Sequence, residues 1–301
     1  MPNLTRRRFL TLSAAAMLPL PAGSAEITQW HGTALGAEAA IYLSHPDADA
    51  IIARAVAEID RLEGVFSLYR ANSSLSHLNA TGRLDAPPFE LLECLALCGR
   101  VHTATQGLFD PTIQPLWQLY AAAYAAGHAP APEQIADALP LIGWPRVTYD
   151  SNAVMLSAGM ALTLNGVAQG FIADKVAELL AKEGLIDILI NTGEFRALGQ
   201  MLGARGWPIE LTGGGTVSLS MRALATSSPL GTVFDTKGTV GHIFNPTNGL
   251  TAPAIWKSVS VSAPSSALAD AISTAACLMP DRETVVATLS YFPDTRIEEI
   301  V

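Results

Sequence analysis

Apolar residues recur along this chain with two periods. At helical spacing stand Ile52, Val56, Ile59, Leu62 and Phe66, then Phe89, Leu92 and Ala96, then Ile172, Val176, Leu179 and Leu180, the last set halted by Gly184. A three-to-four-residue repeat marks a helix that buries one face. The pattern therefore predicts a long helix ending near Phe66, a second with Phe89, Leu92 and Ala96 on its core face, and a third beginning near Gly170. Alternation, or short apolar runs bounded by turn formers, predicts strands over residues 38–43, 147–149, 154–156, 186–190, 207–211, 217–220, 224–227 and 259–262. Asp150-Ser151-Asn152 reads as a hairpin-type turn, and the Ala-, Gly- and Pro-rich residues 121–132 as a surface excursion between helices. The final third predicts helices over 266–279 and 282–291 and a strand-like tail over 295–301. Strands and helices mixed in this way, without an internal repeat, indicate an α+β fold of mixed or antiparallel sheets packed with helices.

The segment from Thr163 to Asp174 is where this pattern changes character. Thr163-Leu164-Asn165-Gly166-Val167-Ala168-Gln169-Gly170 reads as the end of a strand and a glycine-punctuated turn that opens the third helix. Such a turn offers open backbone, unpaired N–H groups and the positive end of a helix dipole, which suit a phosphate or pyrophosphate. An ordinary strand-to-helix connection that needs glycine for close packing fits the same residues.

The chain has 301 residues, half of them hydrophobic, enough for one large domain or two intimate ones. Residues 1–25 carry Arg6-Arg7-Arg8-Phe9-Leu10, a short apolar run, and then prolines and small residues, the pattern of an export leader of twin-arginine type. Its apolar part is too short to span a bilayer stably. The expected division is a leader over 1–25 and a periplasmic domain over 26–301 that does not span the membrane. The formal charge is −9, and loss of the three leader arginines leaves 15 basic against 27 acidic residues, or −12. Nucleic acid is thereby excluded as the main partner, because a phosphate backbone requires a basic surface. Cys94, Cys98 and Cys277 lack metal-ligand spacing, and Cys94 and Cys98, one helical turn apart among leucines, read as buried core thiols.

Few residues carry obvious chemistry. Asp270 and Thr274 stand at i and i+4 of a predicted helix, so a carboxylate and a hydroxyl face the same way. With a nearby backbone carbonyl they form the hard oxygen set that Mg²⁺ accepts, although Asp and Thr also cap helix starts. His242 lies in Gly241-His242-Ile243-Phe244-Asn245-Pro246-Thr247-Asn248-Gly249, a loop dense in turn formers, where it could serve as a general base or donate to a phosphate oxygen. No Ser-His-Asp array, Cys-x-x-Cys pair or P-loop lysine pattern is visible.

Taken together and in order, the segments Leu35-Gly36-Ala37, Ser67-Leu68-Tyr69-Arg70-Ala71-Asn72-Ser73, Phe109-Asp110-Pro111-Thr112, Leu164 to Asp174, Thr192-Gly193-Glu194, Ala225-Thr226-Ser227, His242 to Gly249 and Asp270 to Thr274 resemble the ApbE family of FAD:protein FMN transferases. The first of these stands where the family has an entry strand. The resemblance implies a T-fold-like architecture and an enzyme that splits FAD at its pyrophosphate. AMP is released, and FMN is linked to a threonine or serine of a partner flavoprotein. It implies Mg²⁺ held by Asp270, Thr274 and a turn carbonyl at Gly166; on chemical grounds His242, or Asp270 beside the metal, could help take the acceptor proton. Flavin contacts map to Leu35, Tyr69, Leu108, Phe109, Asp110, Thr163, Gln169 and Ile243.

Two positions depart from the family pattern: Thr163 replaces the usual Asp, and Gln169 the usual Lys or Glu, each removing a charge beside the expected FAD site. The wording Leu164 to Gly170 also resembles the branch linked to nitrous oxide reductase maturation, NosX, whose acceptor is the flavin domain of the membrane protein NosR. Two other readings stand beside the transferase: a Mg²⁺-dependent FAD pyrophosphatase yielding free FMN, and a periplasmic flavin-binding or delivery protein without turnover.

Overall fold

The computed structural model describes residues 16–17, 27–201 and 203–301. Strands β2 (Thr28–Ala34), β3 (Ala37–Leu43), β7 (Ile188–Asn191), β8 (Phe195–Leu198), β11 (Ala223–Ser227), β12 (Val259–Ala263) and β13 (Arg296–Ile300) form its central sheet. Every neighbouring pair is antiparallel, in the order β13-β12-β11-β8-β7-β3-β2. Two small three-stranded sheets flank it. One joins β4 (Arg83–Asp85), β6 (Ala153–Met155) and β5 (Thr148–Tyr149) through the turn read at Asp150; the other joins β1 (Ala16–Met17), β9 (Trp207–Glu210) and β10 (Thr216–Leu219). The expected leader falls almost wholly outside the described residues. Of it, only Ala16–Met17 is described, paired with Glu210 and Ile209 at the edge of β9.

Helices α1 (Ala48–Phe66), α2 (Ser74–Thr81), α3 (Phe89–Ala104), α4 (Gln114–Ala125), α5 (Pro132–Ala138), α6 (Ala168–Lys182), α7 (Ser266–Ala276) and α8 (Arg282–Leu289) complete the fold. One continuous core joins Ile59 and Leu62 of α1, Leu95 of α3, Ile172 and Val176 of α6 and Ile272 of α7 to Ile41, Ile190 and Val261 of the sheet. On the opposite sheet face Leu189, Phe195 and Leu224 pack with Trp207 and Ile209 of β9. Successive residues of β7 thus enter different cores, which is why that strand reads as a continuous apolar run rather than an alternation.

The structure alters several expectations. α3 buries Leu91, Cys94, Leu95, Cys98 and Val101, while Phe89 is 74% exposed and Ala96 is exposed. The cysteines act as small hydrophobes and rotate the buried face away from the one predicted. Residues 121–125 are the end of α4 rather than an excursion, as their alanines favour helix. β7 begins at Ile188, leaving Ile186 exposed, and β2 and β8 lack a signal strong enough to have been read.

No strand precedes the glycine turn. Leu162 bonds instead through its N–H and carbonyl to the side chain of Asn79 (2.7 and 2.8 Å), and Thr163 N–H donates to the Pro111 carbonyl (2.8 Å). Leu35 and Gly36, expected to open a strand, are the two-residue turn of the β2–β3 hairpin, with φ of 50° and 85°. Positive φ at both positions matches the right-handed strand twist, at a cost for a leucine.

Candidate active site

Between the helical layer and one end of the sheet's strands lies a cavity of about 220 Å³. Leu35, Tyr69, Leu108, Phe109, Asp110, Thr163, Gly166, Gln169, His242, Ile243, Asp270 and Thr274 all line it. They arrive from the β2–β3 turn, the α1–α2 loop, the α3–α4 loop, the turn before α6 and its first helical turn, the β11–β12 loop and α7, so residues far apart in the chain share one cavity.

The floor is the crossing of α6 and α7. Both glycines of the turn face α7: a Cβ on Gly166 would sit 3.0 Å from Thr274 Oγ1, and one on Gly170 2.4 Å from the Ser266 carbonyl oxygen. Close packing thus explains both glycines, and at Gly166 it also brings backbone against the Thr274 hydroxyl. α7 is fixed at its start by Asp174, whose carboxylate accepts from Ser265 Oγ (2.7 Å) and from the N–H groups of Ser266 (2.9 Å) and Ala267 (3.0 Å). The Arg196 guanidinium lies 3.2 Å from the same carboxylate. Two of the N–H groups at the start of α6 are already engaged. Ala168 donates to the Leu164 carbonyl, and Gly170 points at Asp270 Oδ2 at 3.5 Å. The positive end of α6 is therefore directed in part at a carboxylate of this chain.

Asp270 is only 3% exposed. Burial pushes its carboxyl up to about 8, opposed only by the long Gly170 N–H bond. Glu194, at the start of β8, is likewise buried and accepts from Thr226 N–H (3.1 Å); burial and the neighbouring Asp270 push it well up. Glu194 lines the cavity, as does Ser227, which bonds to Ser273 and Thr274. Both stand in the segments that carry the family resemblance, yet no spacing or motif marks either as part of the site. A glutamate that follows a strand and turn shows no spacing signal for its nearness to α7.

Nearer the mouth, Glu63 joins two walls. It accepts the Leu35 N–H at 2.5 Å and also pairs with Arg70, which follows Tyr69. This anchors the strained Leu35 and the loop that carries Tyr69, itself 58% exposed. Asp110 uses its carboxylate internally, accepting from Thr112 N–H (2.8 Å), Thr112 Oγ1 (2.6 Å) and Trp144 N–H (3.1 Å). It shapes the wall by fixing its loop. His242 Nδ1 lies 3.1 Å from the Thr232 carbonyl. A carbonyl only accepts, so Nδ1 carries the proton and Nε2 keeps its lone pair. Desolvation holds this imidazole below the usual histidine range, and neutral.

Among the described residues no group of three or more His, Cys, Asp or Glu side chains is placed to hold a metal. The set at the cavity floor is of another kind: one carboxylate, one hydroxyl and the backbone at Gly166. A buried carboxylate with a single weak donor fits a hard divalent cation, which would supply the missing positive charge.

Among known proteins, the FAD:protein FMN transferase of Haemophilus influenzae is 27% identical over 229 residues, covering 69% of this chain and 66% of the relative. That of Treponema pallidum is 29% identical over 284 residues, covering 84% and 78%. In fold, the chain matches the flavinyl transferase ApbE of Pseudomonas stutzeri in its apo form, with a TM-score of 0.77 and 23% identity over 90% of this chain and 91% of that one. It also matches the ApbE protein of Thermotoga maritima, with a TM-score of 0.81 and 24% identity over 90% and 94%. Residues 28–292 match the family model itself, and the chain belongs to the ApbE family.

Proposed function

We propose that the chain is a Mg²⁺-dependent FAD:protein FMN transferase, which breaks the pyrophosphate of FAD and attaches FMN to a Thr or Ser hydroxyl of a partner flavoprotein. The observation that carries the reading is the meeting of Asp270, Thr274 and Gly166 on the floor of a cavity whose walls hold the flavin-contact candidates. Mg²⁺ bound by these three would neutralise charge on the pyrophosphate.

The rest is positioning by the chain. Tyr69 and Phe109 offer aromatic faces to the flavin rings, with Leu35, Leu108 and Ile243 as apolar walls. Thr163 and Gln169 offer neutral polar groups where the family usually has charge. The acceptor oxygen bonds to the FMN-side phosphorus, the bridging P–O bond breaks, and AMP leaves with the bridging oxygen. His242 Nε2 takes the acceptor proton, the role its neutral state and free lone pair support over Asp270.

The arginine run Arg6-Arg7-Arg8 supports export in folded form and a periplasmic site of action. Among the described residues no helix is long and apolar enough to cross a membrane. The wording of residues 164–170 supports a NosR-type flavin domain as the acceptor. The test incubates the protein with FAD, Mg²⁺ and such a domain, followed by a denaturing gel and an assay for AMP. A fluorescent acceptor band with stoichiometric AMP, lost with EDTA or in Asp270→Ala, is expected. Free FMN and AMP without a band would point to a pyrophosphatase, and intact FAD to a carrier.

A further inference from the structure

Beside Thr274 runs a chain of hydroxyls whose protons can be assigned one by one. Ser273, wholly buried on α7, donates to the Asp270 carbonyl at 3.0 Å. Ser273 Oγ lies 2.7 Å from Ser227 Oγ at the end of β11, and Ser227 Oγ lies 3.2 Å from Thr274 Oγ1. A carbonyl accepts only, and a hydroxyl has one proton to give. With the Ser273 proton committed to the carbonyl, Ser227 must donate to Ser273. With the Ser227 proton committed in turn, Thr274 must donate to Ser227.

The usual alternative for a helical threonine is its own i−4 carbonyl. For Thr274 that carbonyl belongs to Asp270, and it already serves Ser273 as well as the regular helix bond from the Thr274 N–H. We infer that the Ser227–Ser273 relay fixes the Thr274 hydroxyl with its proton turned onto Ser227 and its oxygen lone pairs left free beside Gly166. Ser227 and Ser273 are thus positioning residues for a divalent cation at the Asp270–Thr274 site. A hard cation binds oxygen lone pairs and is repelled by a hydroxyl proton aimed at it. The inference rests on the metal site proposed above.

The test is Mn²⁺ binding to the full chain without FAD, measured by calorimetry, with melting in EDTA to verify folding. Ser227→Ala and Ser273→Ala are each expected to weaken Mn²⁺ by about fivefold to tenfold, the effect of one hydrogen bond of ordinary net strength. The double variant should be little weaker than either single one, because one relay is broken once. Ser227→Thr, which keeps the hydroxyl, should bind as the parent does, an outcome that a merely structural role for the side chain would not give. Asp270→Ala should abolish binding. If Asp270→Ala abolishes binding while folded Ser227→Ala and Ser273→Ala bind within twofold of the parent, the relay is wrong and the metal site stands. If Asp270→Ala still binds, the metal reading itself fails. Should Ser273→Ala not fold, Ser227→Ala and Ser227→Thr decide the matter alone.

Discussion

Gly170→Ala should separate the stability of this fold from the geometry of its site. The added Cβ would lie 2.4 Å from the Ser266 carbonyl oxygen, 2.5 Å from its carbon and 2.6 Å from the Ala267 nitrogen. All three are backbone, so no rotamer change relieves the clash. Restoring ordinary contact requires α6 and α7 to part by about 1 Å, and overpacking of this kind costs about 1–3 kcal/mol. Alanine returns up to about 1 kcal/mol of helix propensity, which leaves a net loss of about 0–2 kcal/mol. The melting temperature should fall by about 2–4 °C for each kcal/mol. The same 1 Å moves Asp270 and Thr274 relative to Gly166, and a displacement of that size in a positioned site can cost about a hundredfold in rate. Gly64→Ala in α1 is the control, because a Cβ there meets nothing within 4 Å. It should raise stability slightly and leave turnover alone. Melting curves and initial rates of FMN transfer on both variants decide the matter. A Gly170→Ala protein that is as stable and as active as Gly64→Ala would refute the claim that this glycine sets the α6–α7 spacing.

Three further outcomes follow from the same geometry. Asp270, Glu194 and Asp174 all have carboxyls raised by burial, Asp270 to about 8. Above the ordinary carboxylate range the metal-free fold therefore holds protons that the unfolded chain has released, the one on Asp270 up to about pH 8. Its stability should fall as pH rises, by about 1.4 kcal/mol per pH unit for each such proton, and Mg²⁺ should offset the fall; urea titrations with and without EDTA measure this. His242→Ala should lower kcat by about 10²–10⁴-fold with Mn²⁺ affinity unchanged, and full transfer activity would remove the histidine from proton transfer. Asp174→Ala leaves the largely buried Arg196 guanidinium without its carboxylate and removes the acceptor of three bonds from the start of α7, so it should destabilise the fold by about 3 kcal/mol in chemical denaturation, whereas a loss below about 1 kcal/mol would show that Asp174 does not anchor α7.

The legible parts of this chain were those in which one physical demand fixed one residue pattern. The periodicity of α1 and the run of β7 follow from burial on one face and on two. The glycines at 166 and 170 announced a turn, although not that both were required by α7, nearly a hundred residues later in the chain. Asp270 and Thr274 could be paired because i, i+4 spacing is local. By contrast, β8 gave no readable pattern, and the segment before the glycine turn has no strand partner because Asn79 supplies the bonds a partner would. The closeness of Glu194 to Asp270 also left no local trace. It exists only because the turn before β8 comes near α7 in three dimensions.

The same contrast explains why the cavity floor is rigid while its mouth is pieced together. On α7, Ile272 and Ala276 are in the core, Asp174 holds the first turn and Gly166 and Gly170 fix the crossing. Asp270 and Thr274 therefore cannot shift without disturbing the core. Leu35 and Tyr69 reach the mouth on loops, and their common anchor is the carboxylate of Glu63. Changes on α7 should act on metal binding and turnover, and changes around Glu63 on the affinity for FAD. On the proposed reading, a floor that holds the pyrophosphate and a mouth that holds the flavin can then be altered separately, and the neutral Thr163 and Gln169 belong to the proposed FAD-facing wall, in the same cavity as the Asp270 carboxylate and the Thr274 hydroxyl.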